Sequence, residues 1–210
     1  MIGGDTSLSQ KIVLNLCLIG EGEKGALLFR NGARSGDDLY VSGTLGDAAL
    51  GLKILKDKGL KRKPRGLIER HLLPRPRIEL GKALAQGHLA SAMIDVSDGL
   101  ISDTLHLLEE SRVGARIWRD RIPLSKPYRQ WMGTFSGDLY QMALSGGEDY
   151  ELLWTASPRK RSEILSLTRS LQIPIARIGE VVPAREGLTL LKSQGGDQIL
   201  LGQKGYNHFE

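Results

Sequence analysis

The sequence predicts an α+β fold in which helices pack on a mixed β-sheet. Segments with a helical period alternate with short strands, but several strand candidates follow one another without a helix between them. The clearest case is the end of the chain, where strands are predicted at 175–182, 188–191 and 198–201. Successive parallel strands need a long crossover, usually a helix, so this order favours a mixed sheet over a purely parallel, doubly wound one.

Individual elements follow from the apolar periodicity. Residues 11–19 alternate with both faces largely apolar, which is typical of a strand covered on both sides. A helix is predicted from Ser97-Asp98 to about Ser111, because Ile101, Leu105 and Leu108 form one stripe. Further helices are predicted at 47–58, 66–73, 78–87, 138–144 and 159–171, and further strands at 39–42, 115–118 and 150–155.

Composition and charge exclude several classes of protein. The chain has 210 residues, a net charge of +5 and 40% hydrophobic residues, which is typical of a globular protein. Its one cysteine, Cys17, excludes a disulfide scaffold within the chain. No apolar run approaches the roughly 20 residues that cross a bilayer, and the first residues lack the features of a secretion signal. We therefore expect a cytoplasmic protein without a membrane partner.

A basic segment at residues 61–77 is interrupted by three prolines, which exclude one continuous helix. Basic segments of this kind bind nucleic acid when aromatic residues are interleaved with them, and this one has none. A solvated surface segment is the favoured interpretation, and we expect no nucleic-acid partner.

Three segments place carboxylates next to glycines: 3–6 (Gly-Gly-Asp-Thr), 95–100 (Asp-Val-Ser-Asp-Gly-Leu) and 145–152 (Ser-Gly-Gly-Glu-Asp-Tyr-Glu-Leu). Asp95 and Asp98 straddle a strand-to-helix junction, and carboxylate oxygens are the ligands that Mg²⁺ selects. Ser97 and Asp98 also stand at a helix N-terminus, where free N–H groups favour phosphate. The alternative is that Ser97 or Asp98 only caps the helix.

The other two segments leave similar alternatives open. Gly4 would let the backbone approach an anion and Asp5 would hold a metal, but Gly-Gly-Asp-Thr is also an ordinary turn. The segment around Glu148 and Asp149 is either a tight loop or a loop that presents both carboxylates to a ligand. The sequence contains no P-loop, no dinucleotide-binding glycine motif, no histidine spacing for zinc and no nucleophile elbow.

Taken together and in order, these segments resemble thiamine-monophosphate kinases. Those enzymes belong to an ATP-binding superfamily with aminoimidazole ribonucleotide synthetase, selenophosphate synthetase and the hydrogenase maturation protein HypE. The matching segments are 3–6, 30–33 (Arg-Asn-Gly-Ala), 35–37 (Ser-Gly-Asp), 41–47 (Val-Ser-Gly-Thr-Leu-Gly-Asp), 93–100, 144–152 and 204–209 (Lys-Gly-Tyr-Asn-His-Phe). The resemblance covers essentially the whole chain, and the ending favours the kinases over their relatives.

The resemblance implies a reaction and a set of site residues. ATP and thiamine phosphate would give ADP and thiamine diphosphate, with Mg²⁺ as cofactor and a homodimer as the assembly. The residues implied are Asp5, Asp95 and Asp98 for Mg²⁺, Gly4, Asp5, Arg30 and Ser97 for ATP, and Glu148 and Tyr206 for thiamine phosphate. Without the family, Arg30 is equally well a surface arginine near a turn, and Tyr206 an aromatic anchor for the tail.

The resemblance also implies a domain organisation. Residues 1–32 would be the remnant of an N-terminal ATP-binding domain, with its metal loop and strand, and 33–210 a C-terminal domain like that of aminoimidazole ribonucleotide synthetase. The family's N-terminal α/β domain would precede Gly-Gly-Asp-Thr, so the chain is expected to be an incomplete part of the enzyme. Two other functions stay open: another ATP-dependent member of the superfamily, or a non-catalytic module that binds substrate or a partner.

Overall fold

A computed structural model describes residues 10, 12, 17, 19–23, 25–61, 63–135 and 137–199. The glycine-aspartate segment at 3–6, most of the predicted strand at 11–19 and the terminal segment at 204–209 lie outside these residues. Gly4, Asp5 and Tyr206 are therefore outside the described part of the chain, and so are the last two residues of the strand predicted at 198–201.

The described residues form one seven-stranded sheet. Its strands are β1 (Asp38–Ser42), β2 (Ala92–Val96), β3 (Val113–Trp118), β4 (Glu151–Ala156), β5 (Ile175–Pro183), β6 (Leu188–Leu191) and β7 (Gln198–Ile199). The spatial order is β2-β4-β1-β5-β3-β6-β7. The β3–β6 pair is parallel and the other pairs are antiparallel. The prediction of a mixed sheet is therefore confirmed.

Helices cover both faces of the sheet. They are α1 (Asp47–Lys56), α2 (Arg65–Leu72), α3 (Ile78–Gln86), α4 (Leu100–Ser111), α5 (Lys126–Met132), α6 (Gln141–Ser145) and α7 (Arg161–Leu171). Successive residues of β1 point to opposite faces: Leu39 and Val41 join the core beneath α1, α2, α4, α5 and α6, whereas Tyr40 joins a smaller core beneath α3 and α7. The α+β fold thus buries two apolar layers.

The sequence analysis does not predict helix α5, and it expects a strand ahead of the helix at Ser97-Asp98 without giving its bounds; that strand is β2. In β2, Ala92, Ile94 and Val96 are buried in alternation, a short period-two signal that precedes the better-defined helix. Helix α5 begins after Ser125, whose hydroxyl accepts a hydrogen bond from the Tyr128 amide at 3.0 Å. A serine cap followed by proline is an ordinary start signal, but a helix of seven residues has too few turns to show a period.

No helix within the described ranges is long and apolar enough to cross a membrane.

Glu151, the first residue of β4, fastens the basic segment to the sheet. Its carboxylate accepts hydrogen bonds from Arg70 Nη2 at 2.8 Å and from Arg77 Nε and Nη2 at 2.6 Å each. The Ser42 hydroxyl donates a further bond at 2.6 Å. Burial alone would raise the pKa of Glu151, but the bonds from Arg77 and Ser42 outweigh it and lower that pKa. The interpretation of residues 61–77 as a purely solvated surface segment is therefore wrong for Arg70 and Arg77.

Replacing Glu151 by alanine should destabilise the protein strongly. The change would leave two partly buried guanidinium groups without their shared carboxylate, and breaking a buried ion pair in this way costs about 3–5 kcal/mol. Urea denaturation monitored by circular dichroism measures the loss. The matched control is Glu69→Ala, which removes an exposed i,i+4 pair with Arg65 and should cost about 0.5 kcal/mol or less. Equal losses in the two variants would contradict the assignment.

Candidate functional site

Two of the three carboxylate–glycine segments meet at one end of the sheet. The loop after β2 and the loop before β4 continue the pairing of those two strands beyond their ends. The Glu148 amide donates to the Ser97 carbonyl at 2.8 Å, and the Tyr150 amide donates to the Val96 carbonyl at 2.9 Å. The backbone itself therefore brings the two segments together.

Close backbone contact explains the second glycine of the later segment. A Cβ atom built on Gly147 would lie 2.1 Å from the Ser97 carbonyl oxygen, so no other residue fits without a shift of one loop. Two of the following residues have a backbone conformation that is rare for residues other than glycine. Glu148 (φ 71°) and Tyr150 (φ 50°) both adopt the left-handed conformation. Such strain is concentrated at functional sites.

Asp103 organises the earlier segment. Its Oδ2 atom accepts hydrogen bonds from three consecutive backbone amides, those of Ser97, Asp98 and Gly99, each at 3.0 Å. Helix α4 begins at Leu100 with Gly99 as its cap residue and has no side-chain capping bond. The alternative in which Ser97 or Asp98 caps the helix is therefore wrong, since a carboxylate from inside the helix holds the loop instead.

This arrangement also changes the expectation for phosphate. The amides of Ser97, Asp98 and Gly99 donate to Asp103, so a phosphate at this end of α4 would be met by side chains rather than by these N–H groups. Burial, together with the charges of Asp98 and Asp95, raises the pKa of Asp103 to about 6 against the lowering effect of the amide bonds.

The two acidic residues of the later segment have different environments. Asp149 is buried and accepts hydrogen bonds from the Gly46 amide at 2.6 Å and the Ala48 amide at 3.1 Å, at the N-terminus of α1. Burial raises the pKa of Asp149 to about 7 despite these bonds. Glu148 is exposed at the surface of a cavity. Of the two carboxylates, Glu148 is therefore the one available to a ligand.

Three predicted site residues, Ser97, Asp98 and Glu148, line one cavity of about 520 Å³. The remaining lining residues are Ala49, Leu52, Lys56, His71, Ser145, Gly146 and Gly147. Lys56 ends α1 and His71 lies in the last turn of α2, and no motif in the sequence connects either residue to the site. The Nδ1 atom of His71 is buried without a hydrogen-bond partner among the described residues. The cavity thus has carboxylates on two loops and basic side chains on two helices.

Arg30 and Asp95 line a second cavity, of about 590 Å³, with residues that include Asn31 and Glu110. They therefore line a different cavity from Ser97, Asp98 and Glu148. Electrostatics nevertheless connects the carboxylates: burial and then the charges of Glu148, Asp95 and Asp98 raise the pKa of Tyr150. These three carboxylates act on one hydroxyl group at the junction of the two loops.

Within the part of the chain that the structure describes, no three histidine, cysteine, aspartate or glutamate side chains are grouped so as to hold a metal ion. Asp95 and Asp98 are two of the three predicted ligands, and Asp5 lies outside that part. The predicted metal site, like the predicted contacts of Gly4 and Tyr206, stays a prediction.

Comparison with known proteins shows which proteins the chain is similar to. Residues 34–190 match the family model for AIR synthase related protein, C-terminal domain. The chain is 39% identical over 212 aligned residues to a thiamine-monophosphate kinase of Salmonella typhimurium, aligning over 100% of its own length and 63% of that relative. This confirms the resemblance, although the chain spans less than two thirds of the relative.

Solved structures agree. A thiamine-monophosphate kinase from Stenotrophomonas maltophilia superposes with a TM-score of 0.73 at 37% identity, over 80% of this chain and 54% of the other. A structure of AaThiL complexed with AMPPCP and TMP superposes with a TM-score of 0.72 at 34% identity, over 87% of this chain and 54% of the other.

Replacing Asp103 by alanine should loosen the loop at residues 97–99 specifically. Three amides would lose their acceptor at once, so their hydrogen exchange should accelerate at least about tenfold, equivalent to one lost hydrogen bond of roughly 1.5 kcal/mol. Exchange measured by NMR or mass spectrometry tests this. The control is Ser102→Ala on the same helical turn, which should leave these amides protected, and unchanged exchange in the Asp103 variant would refute the role.

Asp149 should make stability depend on pH in a defined direction. Its pKa is about 7 in the folded protein and about 4 when unfolded, so the folded state binds the proton more tightly. The resulting stabilisation is complete below about pH 4 and is lost as the pH rises through about 7. Relative to Asp149→Asn, the free energy of unfolding of the unmodified protein should therefore fall across this window in urea titrations. The exposed control Asp120→Asn should show the same fall as the unmodified protein. If the free energy of unfolding depended on pH in the same way in Asp149→Asn and in the unmodified protein, the prediction would be contradicted.

Proposed function

Because the chain belongs to the family of AIR synthase related proteins through their C-terminal domain, we propose that the polypeptide carrying it phosphorylates thiamine phosphate with ATP. The product would be thiamine diphosphate. Relatives 36–39% identical along the whole chain are named thiamine-monophosphate kinase. AaThiL has been solved in complex with AMPPCP and TMP. AMPPCP is an ATP analogue, and we take TMP as thiamine monophosphate, so this complex supports both substrates as ligands of the fold.

The observation that carries the proposal is the convergence of two motifs on one cavity. Ser97 and Asp98 come from the loop after β2, and Glu148 comes from the loop before β4, yet all three line the same space of about 520 Å³. In the loop before β4, Glu148 and Tyr150 adopt the left-handed conformation although neither is glycine, and such strain is concentrated at functional sites.

The donor set fits Mg²⁺. This ion is usually bound through one or two carboxylates together with substrate phosphates, so a pair of aspartates is sufficient protein ligation. We propose that Asp95 and Asp98, with Asp5, hold Mg²⁺. When bound, the ion would offset negative charge on the clustered phosphates.

The residues would act mainly by positioning. Transfer between two phosphates needs alignment and charge neutralisation, and the acceptor phosphate, with a second pKa of roughly 6, needs no strong base. Arg30, Gly4, Asp5 and Ser97 would orient ATP. Glu148 and Tyr206 would hold thiamine phosphate, whose cationic thiazolium suits both a carboxylate and an aromatic face. We further propose that Lys56 and His71, which line the same cavity as Glu148, contact the acceptor phosphate.

The organisation of the whole protein is part of the proposal. Residues 33–210 would form the C-terminal domain, which the family match at 34–190 supports, and 1–32 the end of an N-terminal ATP-binding domain. We propose a cytoplasmic homodimer, the assembly that the resemblance implies. Sedimentation of the complete polypeptide as a monomer would contradict it.

A binding module without catalysis is the second candidate, favoured because the described residues contain no group of three side chains that could hold a metal ion. Calorimetry separates the two functions, because a binding module would bind thiamine phosphate without forming product. Other phosphorylated acceptors in the same assay test for a different ATP-dependent reaction.

Formation of thiamine diphosphate from ATP, Mg²⁺ and thiamine phosphate is the direct test, with both the 210-residue chain and the complete polypeptide. Asp98→Asn should lower kcat/KM at least about tenfold, because removing even an outer-shell partner of a metal ion has an effect of that size. Glu148→Gln should instead raise the KM for thiamine phosphate while the KM for ATP stays unchanged. The exposed controls Asp120→Asn and Glu109→Gln should behave as the unmodified protein. No product from the complete polypeptide would refute the kinase.

A further inference from the structure

The ion network around Glu151 contains more positive than negative charge. Two guanidinium groups, on Arg70 and Arg77, share the one carboxylate of Glu151. The carboxylate is 0% exposed, and the arginine side chains are only 20% and 19% exposed. Asp149 also acts on Arg70, but burial raises the pKa of Asp149 to about 7. Charges held this far from water are normally matched by a counter-charge.

Most of the N–H groups on these two arginines are not used by the carboxylate. A guanidinium has five N–H donors. Arg70 directs one hydrogen bond to Glu151 and Arg77 directs two. No other acceptor for either side chain is found among the residues that the structure describes. Glu151 therefore fixes the planes of both groups and leaves donors available, which is the preorganisation that recognition of an oxyanion requires.

Both arginines line a cavity of about 650 Å³ between α2 and the start of α3. It is lined by Gly66, Glu69, Arg70, Leu73, Pro74, Arg75 and Arg77. Glu69, its acidic residue, pairs with Arg65 outside the lining. Arg75 is exposed and makes no ion pair within the described ranges, so it adds a third positive charge to the rim.

We propose that this cavity binds a small phosphate-bearing anion. Three guanidinium groups with one shared carboxylate favour a group of charge near −2 over a single carboxylate, and a phosphate supplies that charge with three acceptor oxygens. Arg70 and its neighbour His71 line different cavities, so the site adjoins the one proposed for catalysis without sharing lining residues with it. The inference stands independently of the proposed kinase activity.

Calorimetric titration of the full chain with inorganic phosphate and with pyrophosphate tests the site. Arg75→Ala is the informative variant, because Arg75 does not touch Glu151 and its loss leaves the buried network intact. The Kd for each anion should rise about tenfold, as expected from the loss of one charge-assisted hydrogen bond. Lys61→Ala, which removes an equal charge from the same segment outside the cavity, should leave the Kd within about twofold. Equal weakening by both variants, or no binding at millimolar anion, would overturn the site.

A second titration separates this site from the catalytic one. Saturating AMPPCP and thiamine phosphate should leave phosphate binding unchanged, and competition would overturn the proposal of a distinct site. A short RNA added under the same conditions should not displace phosphate, whereas displacement would assign the patch to nucleic acid instead. Because the readout is binding heat, the result does not depend on turnover: a chain without kinase activity that still binds phosphate through Arg75 would support this inference alone.

Discussion

The buried carboxylate of Glu151 is the contact on which the rest of the structure depends. It lies at the first residue of β4, bonds to Ser42 at the end of β1, and holds Arg70 of α2 and Arg77 ahead of α3. One side chain thus joins two central strands to the basic segment. Because an unpaired buried charge is costly, this network stabilises the observed placement of α2 and of the start of α3 on the sheet.

The acidic residues in and next to the two site loops divide into those that are buried and hydrogen-bonded and those that line a cavity. Asp103 and Asp149 point inward, where each accepts backbone amide hydrogen bonds that hold a loop or a helix end. Asp95, Asp98 and Glu148, which belong to the two motifs, line cavities instead. The inward carboxylates act as internal anions that shape the loops, and among the described carboxylates of these motifs the cavity-lining ones are those that a ligand could reach.

The fold class and most elements could be predicted because they depend on local periodicity. Strand β6 coincides with its prediction at 188–191, and α1, α3 and α7 differ from theirs by two residues or fewer at each end. Helix α4 begins at Leu100 rather than Ser97, because Gly99 has a φ of 117° and so lies outside the helical conformation. Helix α5 and strand β2 are too short for their period to stand out against better-defined neighbours.

By itself the sequence determined the mixed α+β architecture, the family resemblance and the identity of three carboxylate–glycine segments, since these depend on residue type and spacing along the chain. Only the tertiary structure decided which carboxylates face a cavity. It also decided that Arg70 and Arg77 are partly buried, and that Lys56 and His71 line the same cavity as Glu148. The physical reason is that burial and ion pairing join residues distant in sequence, as Glu151 and Arg70 are, and no local pattern encodes such a pair.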